Sequence, residues 1–172
     1  SGEWHNRSSK IKDNLSVTKE DWLVFLAYNP KSNHAMIFIE GLEENGQLFL
    51  EMFHFGGKSS SKSTFASSAS PFGMVDEVVW PREREGGNME SFNKLENYCY
   101  DHWQPGLDAV KRLRKTLKEQ ANSRKSRPYH LLGKFGADNC LTWAIKQLKT
   151  IDIEVTIPTI PVPSLFIGYQ QS

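Results

Sequence analysis

The sequence predicts an α+β domain: an antiparallel sheet of four to six strands with helices packed beside it. Three short segments rich in β-branched and aromatic residues follow one another early in the chain, separated by turn residues. Two later segments carry apolar residues at helical spacing instead. With 172 residues, one domain with its own hydrophobic core is expected.

The overall composition is that of a soluble globular protein. The net charge is +1, which gives no general attraction to nucleic acid or to acidic lipid, and no nucleic-acid partner is expected. No apolar run reaches the length of a membrane span, so no integral membrane segment is expected. The two cysteines, Cys99 and Cys140, are too few for a disulfide scaffold and indicate a reducing compartment.

The strands are expected in the first half of the chain. Residues 1–20 are polar and predict a tail or a short helix after Thr18, which leaves residues 21–172 as the domain proper. Apolar runs then predict three strands of an antiparallel meander: Trp22–Tyr28, Ala35–Gly41 and Leu48–Phe55. Asn45-Gly46 predicts a hairpin turn between the second and third of these.

The next segments are less regular. A fourth strand is predicted at Val75–Trp80, ended by Pro81, while residues 92–103 fit either a helix or a strand. Residues 56–70 and 82–88 are rich in glycine, serine or charge and predict loops.

Two helices are predicted in the second half. Apolar residues recur at helical spacing from Leu107 to Leu117, and a basic linker, Ser123–Pro128, ends that helix. A second helix, Leu141–Lys149, follows Cys140. Residues 150–163 mix β-branched residues with prolines and predict an edge strand or an extended tail.

Cys140 is the candidate nucleophile because it stands at a helix start, directly after Asp138 and Asn139, which can cap that start. Unpaired N–H groups and the helix dipole favour a thiolate there, so a lowered pKa is expected. The Cys140 N–H could also stabilise an oxyanion. A buried core cysteine without chemistry is the alternative for this residue considered alone.

A thiol nucleophile needs a base and a group that orients the base. No histidine follows Cys140, and His34, at the entrance of a strand, is the best placed of those before it. A hairpin centred on Glu44 places His54 opposite His34 on the same face. A centre near Asn45-Gly46 would favour Glu51 or Glu40 instead; His54 is preferred over Glu51.

These motifs resemble the circularly permuted papain-like hydrolases, which include NlpC-type peptidases and lecithin:retinol acyltransferase-like enzymes. The matching residues are His34 with the strand that follows it, His54 by position, Tyr129–Gly133, and Asn139-Cys140. The resemblance implies a permuted papain-like fold over residues 21–172 and a catalytic set of Cys140, His34 and His54. After the cysteine, the chain reads Leu-Thr-Trp where the acyltransferases commonly have Glu-His-Phe.

The expected function is therefore that of a cysteine-dependent hydrolase or acyl transferase acting on a protein or an acyl lipid. Similar domains occur in secreted bacterial effectors, so the expected location is the cytoplasm or, after secretion, a host cytosol, where a host protein would be the substrate. A monomer without metal or organic cofactor is expected. The alternative is a catalytically silent module of the same fold that binds a partner protein or an anionic surface.

Three other signals are weaker. Gly56–Ser59 lacks the first glycine of a phosphate-binding loop. Cys99 and His102 lack a second pair of ligands at zinc spacing. A basic cluster on the first helix and its linker is typical of a solvated helix face, with an anionic partner as the alternative; it comprises Lys111, Arg112, Arg114, Lys115, Lys118, Arg124, Lys125 and Arg127.

Overall fold

The computed structural model describes residues 17–29, 33–57, 71–80 and 99–156. These form a six-stranded antiparallel sheet and two helices, which confirms the predicted α+β class. The strands are β1 (Leu23–Asn29), β2 (His34–Leu42), β3 (Leu48–Gly57), β4 (Phe72–Trp80), β5 (Cys99–Trp103) and β6 (Arg127–Pro128), and the helices are α1 (Leu107–Ser123) and α2 (Cys140–Lys149). Neither described helix is long and apolar enough to cross a membrane.

The strands lie in the order β5-β1-β2-β3-β4-β6. The predicted meander is confirmed as β1-β2-β3, and β4 extends it with three residues more at its start than predicted. The ambiguous segment forms β5 over its described part, and it pairs with β1. The two-residue strand β6 was missed, since Arg127-Pro128 was assigned to the basic linker.

The β2–β3 turn corrects the predicted hairpin register. Residue numbers of paired positions add up to 90, as in Ile37 with Phe53, so the centre is Asn45 rather than Glu44. Gly46 has φ 84°, which a strand does not accept, and its N–H donates to the Glu43 carbonyl. Gly46 must therefore lie in the turn, and this moves the centre by one residue.

The hydrophobic core lies between one face of the sheet and the two helices. Alternation places Ala35, Ile37 and Ile39 of β2 on this helix-packed face, where they are fully buried. The other face is also apolar and buried, with Met36 and Phe38 in β2. Because both faces are buried, the central strands read as continuous apolar runs in the sequence.

The chain before β1 and after α2 differs from expectation. The Thr18 hydroxyl accepts from the N–H groups of Glu20 and Asp21, but this makes a single turn and no helix, because β1 begins at Leu23. Residues 150–152 form a turn and residues 153–156 have no regular structure, with Ile151 and Ile153 buried in the core, so the edge strand does not form over the described part and the extended segment remains the alternative. The predictions for 1–16, 58–70, 81–98 and 157–172 lie outside the described residues.

Candidate active site

A reciprocal cap fixes the start of α2. The Asn139 side chain accepts from the Thr142 N–H at 2.8 Å, and the Asn139 N–H donates to the Thr142 hydroxyl oxygen at 2.9 Å. Asp138 accepts from the Thr142 hydroxyl and pairs with Lys146 at 2.7 Å. The predicted capping role of Asn139 is confirmed, whereas Asp138 acts through side chains and not through a helix N–H. Cys140 is thereby held as the first helical residue.

The Cys140 thiol faces the start of β2. Its Sγ accepts from the Ala35 backbone N–H at 3.4 Å, so the sulfur lies beside the residue that follows His34. The side chain is 3% exposed and belongs to the core between helices and sheet. Burial raises the pKa of Cys140 to about 11, although hydrogen bonds from the backbone N–H groups of Ala35, Leu141 and Cys140 act in the opposite direction.

This corrects the expected lowered pKa. The helix-start N–H groups do stabilise the thiolate, as predicted, but loss of water around the sulfur disfavours the charged form more strongly. At neutral pH, only about one Cys140 in ten thousand carries the charge. Cys140 is therefore a neutral thiol at this pH.

His34 and His54 meet directly. His34 Nε2 and His54 Nδ1 are 2.9 Å apart, and the rings make an edge-to-face contact. The observed β2–β3 pairing ends at Ile37 with Phe53; continued by three residues, this register places Gly56 opposite His34 and makes His54 its diagonal neighbour rather than its direct partner. The register correction moved the pairing by two residues along β3, which keeps both side chains on the same face of the sheet.

Both histidines are neutral at physiological pH. His34 is 6% exposed and His54 is 1% exposed. Burial, reinforced by the neighbouring His54, lowers the pKa of His34 to about 3. Burial also lowers the pKa of His54 to about 4, with Asp76 acting weakly in the opposite direction.

Asp76 lies close to His54 and bears on which ring nitrogens of the two histidines carry protons. Its Oδ2 lies 3.9 Å from His54 Nε2, as part of the directly paired positions His54 and Asp76 on β3 and β4. In the tautomer with a proton on His54 Nε2, that proton would face this carboxylate, His54 Nδ1 would be the acceptor and His34 Nε2 the donor. In this arrangement His34 Nδ1 carries the lone pair.

The Cys140 thiol and the two histidine rings lie on opposite faces of the sheet. Cys140 packs on the helix-packed face with Ala35, whereas strand alternation directs His34 and His54 to the other face. The sulfur thus meets β2 through the main chain next to His34. His34 is the first residue of β2, and its buried ring bonds His54 on that other face.

Glu51, the less favoured candidate for orienting the His34 ring, does not contact His34 and instead pairs with α1. It lies on the helix-packed face and is 2% exposed, with Arg114 Nε bonded to one oxygen and Lys118 Nζ 2.5 Å from the other. Burial raises the pKa of Glu51, but the hydrogen bonds from Arg114 and Lys118 outweigh burial and lower it overall. Its role is to hold α1 against β3.

Sequence reasoning missed two residues near this site. Asp76 would have required the β3–β4 register, since only pairing brings it to His54. Tyr129 was seen only as part of a motif; burial and then the nearby Cys140 raise its pKa to about 12, and its ring packs on Phe55 with centroids 5.6 Å apart. Trp143, three residues after Cys140, is buried and donates from Nε1 to the Gln120 side chain.

A cleft of about 930 Å³ lies elsewhere, between α1 and the β2–β3 turn, at the opposite end of β2 from His34. Its lining includes Trp22, Glu43, Lys111 and Arg114. Within the described part of the chain, no group of three or more histidine, cysteine or acidic residues is arranged to hold a metal ion.

Comparisons of the chain with protein-family models, with curated proteins and with solved structures gave no match.

Proposed function

We propose that this protein is a cysteine-dependent hydrolase or acyl transferase with a permuted papain-like fold, in which Cys140 is the nucleophile, His34 the base and His54 the group that orients the base. The observation that carries the proposal is the buried hydrogen bond between His34, the first residue of β2, and His54. The next residue of β2, Ala35, donates its N–H to the Cys140 sulfur. Two adjoining imidazoles beside a helix-start thiol supply each role that nucleophilic catalysis needs.

The chemistry starts from neutral groups. Sγ forms a bond to a substrate carbonyl carbon while the thiol proton passes to His34 Nδ1, and His34 then gives that proton to the leaving group. Water or an acceptor cleaves the resulting thioester and regenerates the thiol. His54 accepts the hydrogen bond from His34 Nε2 and stabilises the imidazolium, with Asp76 behind it.

This step requires the His34 ring to reach the sulfur from the other face of the sheet. The Leu141 and Cys140 N–H groups, which bond the thiol sulfur in the resting state, would bond the oxyanion after attack. A substrate carbonyl thus replaces the sulfur as their acceptor.

Acylation of the protein by an activated ester tests the proposal. Incubation with p-nitrophenyl octanoate should add one acyl group on Cys140, detected by intact and peptide mass spectrometry. Cys140→Ala should lose the adduct, and His34→Gln should slow acylation by about 10²–10⁴-fold. Cys99→Ser is the matched control and should acylate normally. An adduct that survives Cys140→Ala would rule out the nucleophile assignment.

The resting state has its own test. In the Cys99→Ser background, the rate of iodoacetamide alkylation of Cys140 should rise about tenfold per pH unit between about pH 7 and 10, because a thiol of raised pKa gains thiolate throughout this range. A rate that stays flat across this range would mean a preformed thiolate–imidazolium pair and would contradict the neutral resting state.

The alternative is a catalytically silent module of the same fold. It is favoured by the 3% exposure of Cys140 and by the placement of the histidine rings on the other face from the core around the sulfur. A correctly folded wild-type protein that forms no acyl adduct with esters or thioesters would select this alternative.

A further inference from the structure

The loop of residues 130–138, between β6 and α2, has a fixed conformation. Its ends are joined by a bridge between Tyr129 and Asp138, and the His130 N–H donates to the Asp138 carbonyl at 3.0 Å. Two internal turns follow: Gly133 N–H to the His130 carbonyl, and Ala137 N–H to the Lys134 carbonyl. The loop is thus a hydrogen-bonded projection.

This loop presents apolar side chains to solvent. Phe135 is 90% exposed and Leu131 is 49% exposed, which makes Phe135 the most exposed large apolar residue described. The His130 ring contacts the Phe135 ring edge-to-face, with centroids 5.2 Å apart. Phe135 therefore buries little apolar surface in the described fold, and core packing does not account for a phenylalanine at this position.

The backbone at the tip is also unfavourable for phenylalanine. Phe135 has φ 59° and Gly136 has φ 74°, the left-handed pair of a tight turn that glycine or asparagine normally fills. A bulky side chain in this region strains the backbone. One residue therefore combines backbone strain with apolar exposure, and glycine at the same position would remove both.

The surroundings of the loop are basic. Residues 124–149 contain six lysine or arginine residues and one acidic residue, Asp138, whereas the whole chain has a net charge of only +1. Lys134 is exposed directly beside Phe135, and the Lys146 side chain is 64% exposed. An exposed apolar tip with Lys134 beside it, and with Lys146 paired to Asp138 at the end of the loop, suits the boundary between anionic headgroups and acyl chains, where long basic side chains stay in the polar layer.

We propose that the 130–138 loop is a membrane-docking element, which inserts Phe135 and Leu131 into the interfacial layer of a bilayer containing anionic lipids. A protein partner would need a complementary pocket for this exposed tip, whereas a bilayer needs none. The loop also leads directly into α2, and the Asn139 side chain donates to the Leu131 carbonyl at 3.1 Å. Docking would therefore bring the start of α2 close to the membrane surface, whether or not Cys140 is a nucleophile.

Co-sedimentation of the full chain with vesicles tests the proposal. Wild type should bind vesicles of phosphatidylcholine with about 30% phosphatidylserine more strongly than phosphatidylcholine alone. Phe135→Gly and Leu131→Ser should each lower the partition coefficient on the mixed vesicles by about tenfold. Val78→Ser, at an apolar residue of β4 that is 36% exposed, is the matched control and should bind as wild type does.

Cys140→Ser should also bind vesicles normally, which separates this proposal from the proposed chemistry. Circular dichroism confirms that each variant is folded. Equal binding by wild type and Phe135→Gly, or no binding to either vesicle, would overturn the inference. So would a dimer in lipid-free sedimentation equilibrium that Phe135→Gly dissociates, because the tip would then serve contact between copies of the chain.

Discussion

The buried histidine pair predicts a specific sensitivity to acid. The pKa values of His34 and His54 fall from an ordinary 6.5 to about 3 and about 4, because burial disfavours their charged forms. Below pH 6.5 the unfolded chain takes up protons at both residues while the folded chain does not. The stability that depends on the neutral pair is therefore complete above this pH, and it is lost progressively as the pH falls towards 3.

The size of the effect follows from linkage. At about pH 5.0 each histidine lies about 1.5 pH units below its unfolded-state pKa, which corresponds to about 2 kcal/mol per residue and about 4 kcal/mol for the pair. This is a large share of the ~5–15 kcal/mol by which a domain is stable. Most carboxylates stay ionised at this pH, so the histidines dominate the change.

Urea unfolding at about pH 7.5 and about pH 5.0 measures this loss of stability. The free energy of unfolding of wild type should fall by about 4 kcal/mol between the two, and that of the double variant His34→Gln/His54→Gln should fall far less. His130→Gln, at a half-buried histidine, is the control and should keep the wild-type acid sensitivity. A double variant as acid-sensitive as wild type would refute the reasoning.

Two further substitutions test the fold. Glu51→Gln removes the buried charge that Arg114 and Lys118 contact, and it should lower the free energy of unfolding by about 3 kcal/mol, measured by urea denaturation. Glu44→Gln, at the exposed β2–β3 turn, should change it by less than about 0.5 kcal/mol, and equal effects would contradict the role of Glu51. Phe135→Gly should stabilise the protein by about 1 kcal/mol, seen as a raised thermal midpoint, because the left-handed backbone suits glycine; a lowered midpoint would show that the phenylalanine ring stabilises the loop.

Local patterns predicted the elements well. The apolar run before Tyr28, the helical spacing from Leu107, and the cap residue Asn139 each depend on near neighbours in the chain, and the structure confirms β1, α1 and the start of α2. The short helix considered after Thr18 does not form, because β1 follows Thr18 too closely. The two-residue β6 is too short to have a pattern of its own.

The sequence predicted which residues lie in the candidate site better than it predicted their arrangement and charge states. His34 and His54 were expected on one face, and they are, although the turn position of Gly46 makes them diagonal rather than direct neighbours. The sign of the Cys140 pKa shift was wrong because the helix-start effect can be read from the sequence, whereas desolvation cannot. Asp76 joins His54 only through strand pairing.

The sequence alone determined the approximate positions of β1 to β3 and of the two helices, that Asn139 caps α2, and that Cys140 and His34 stand at element starts, because these depend on residues a few positions apart. Only the tertiary structure decided that the Cys140 sulfur bonds the Ala35 N–H, that both histidines are neutral, and that Phe135 projects into solvent. Burial and register come from packing between residues far apart in the chain, and packing sets the charge state of each group in the site.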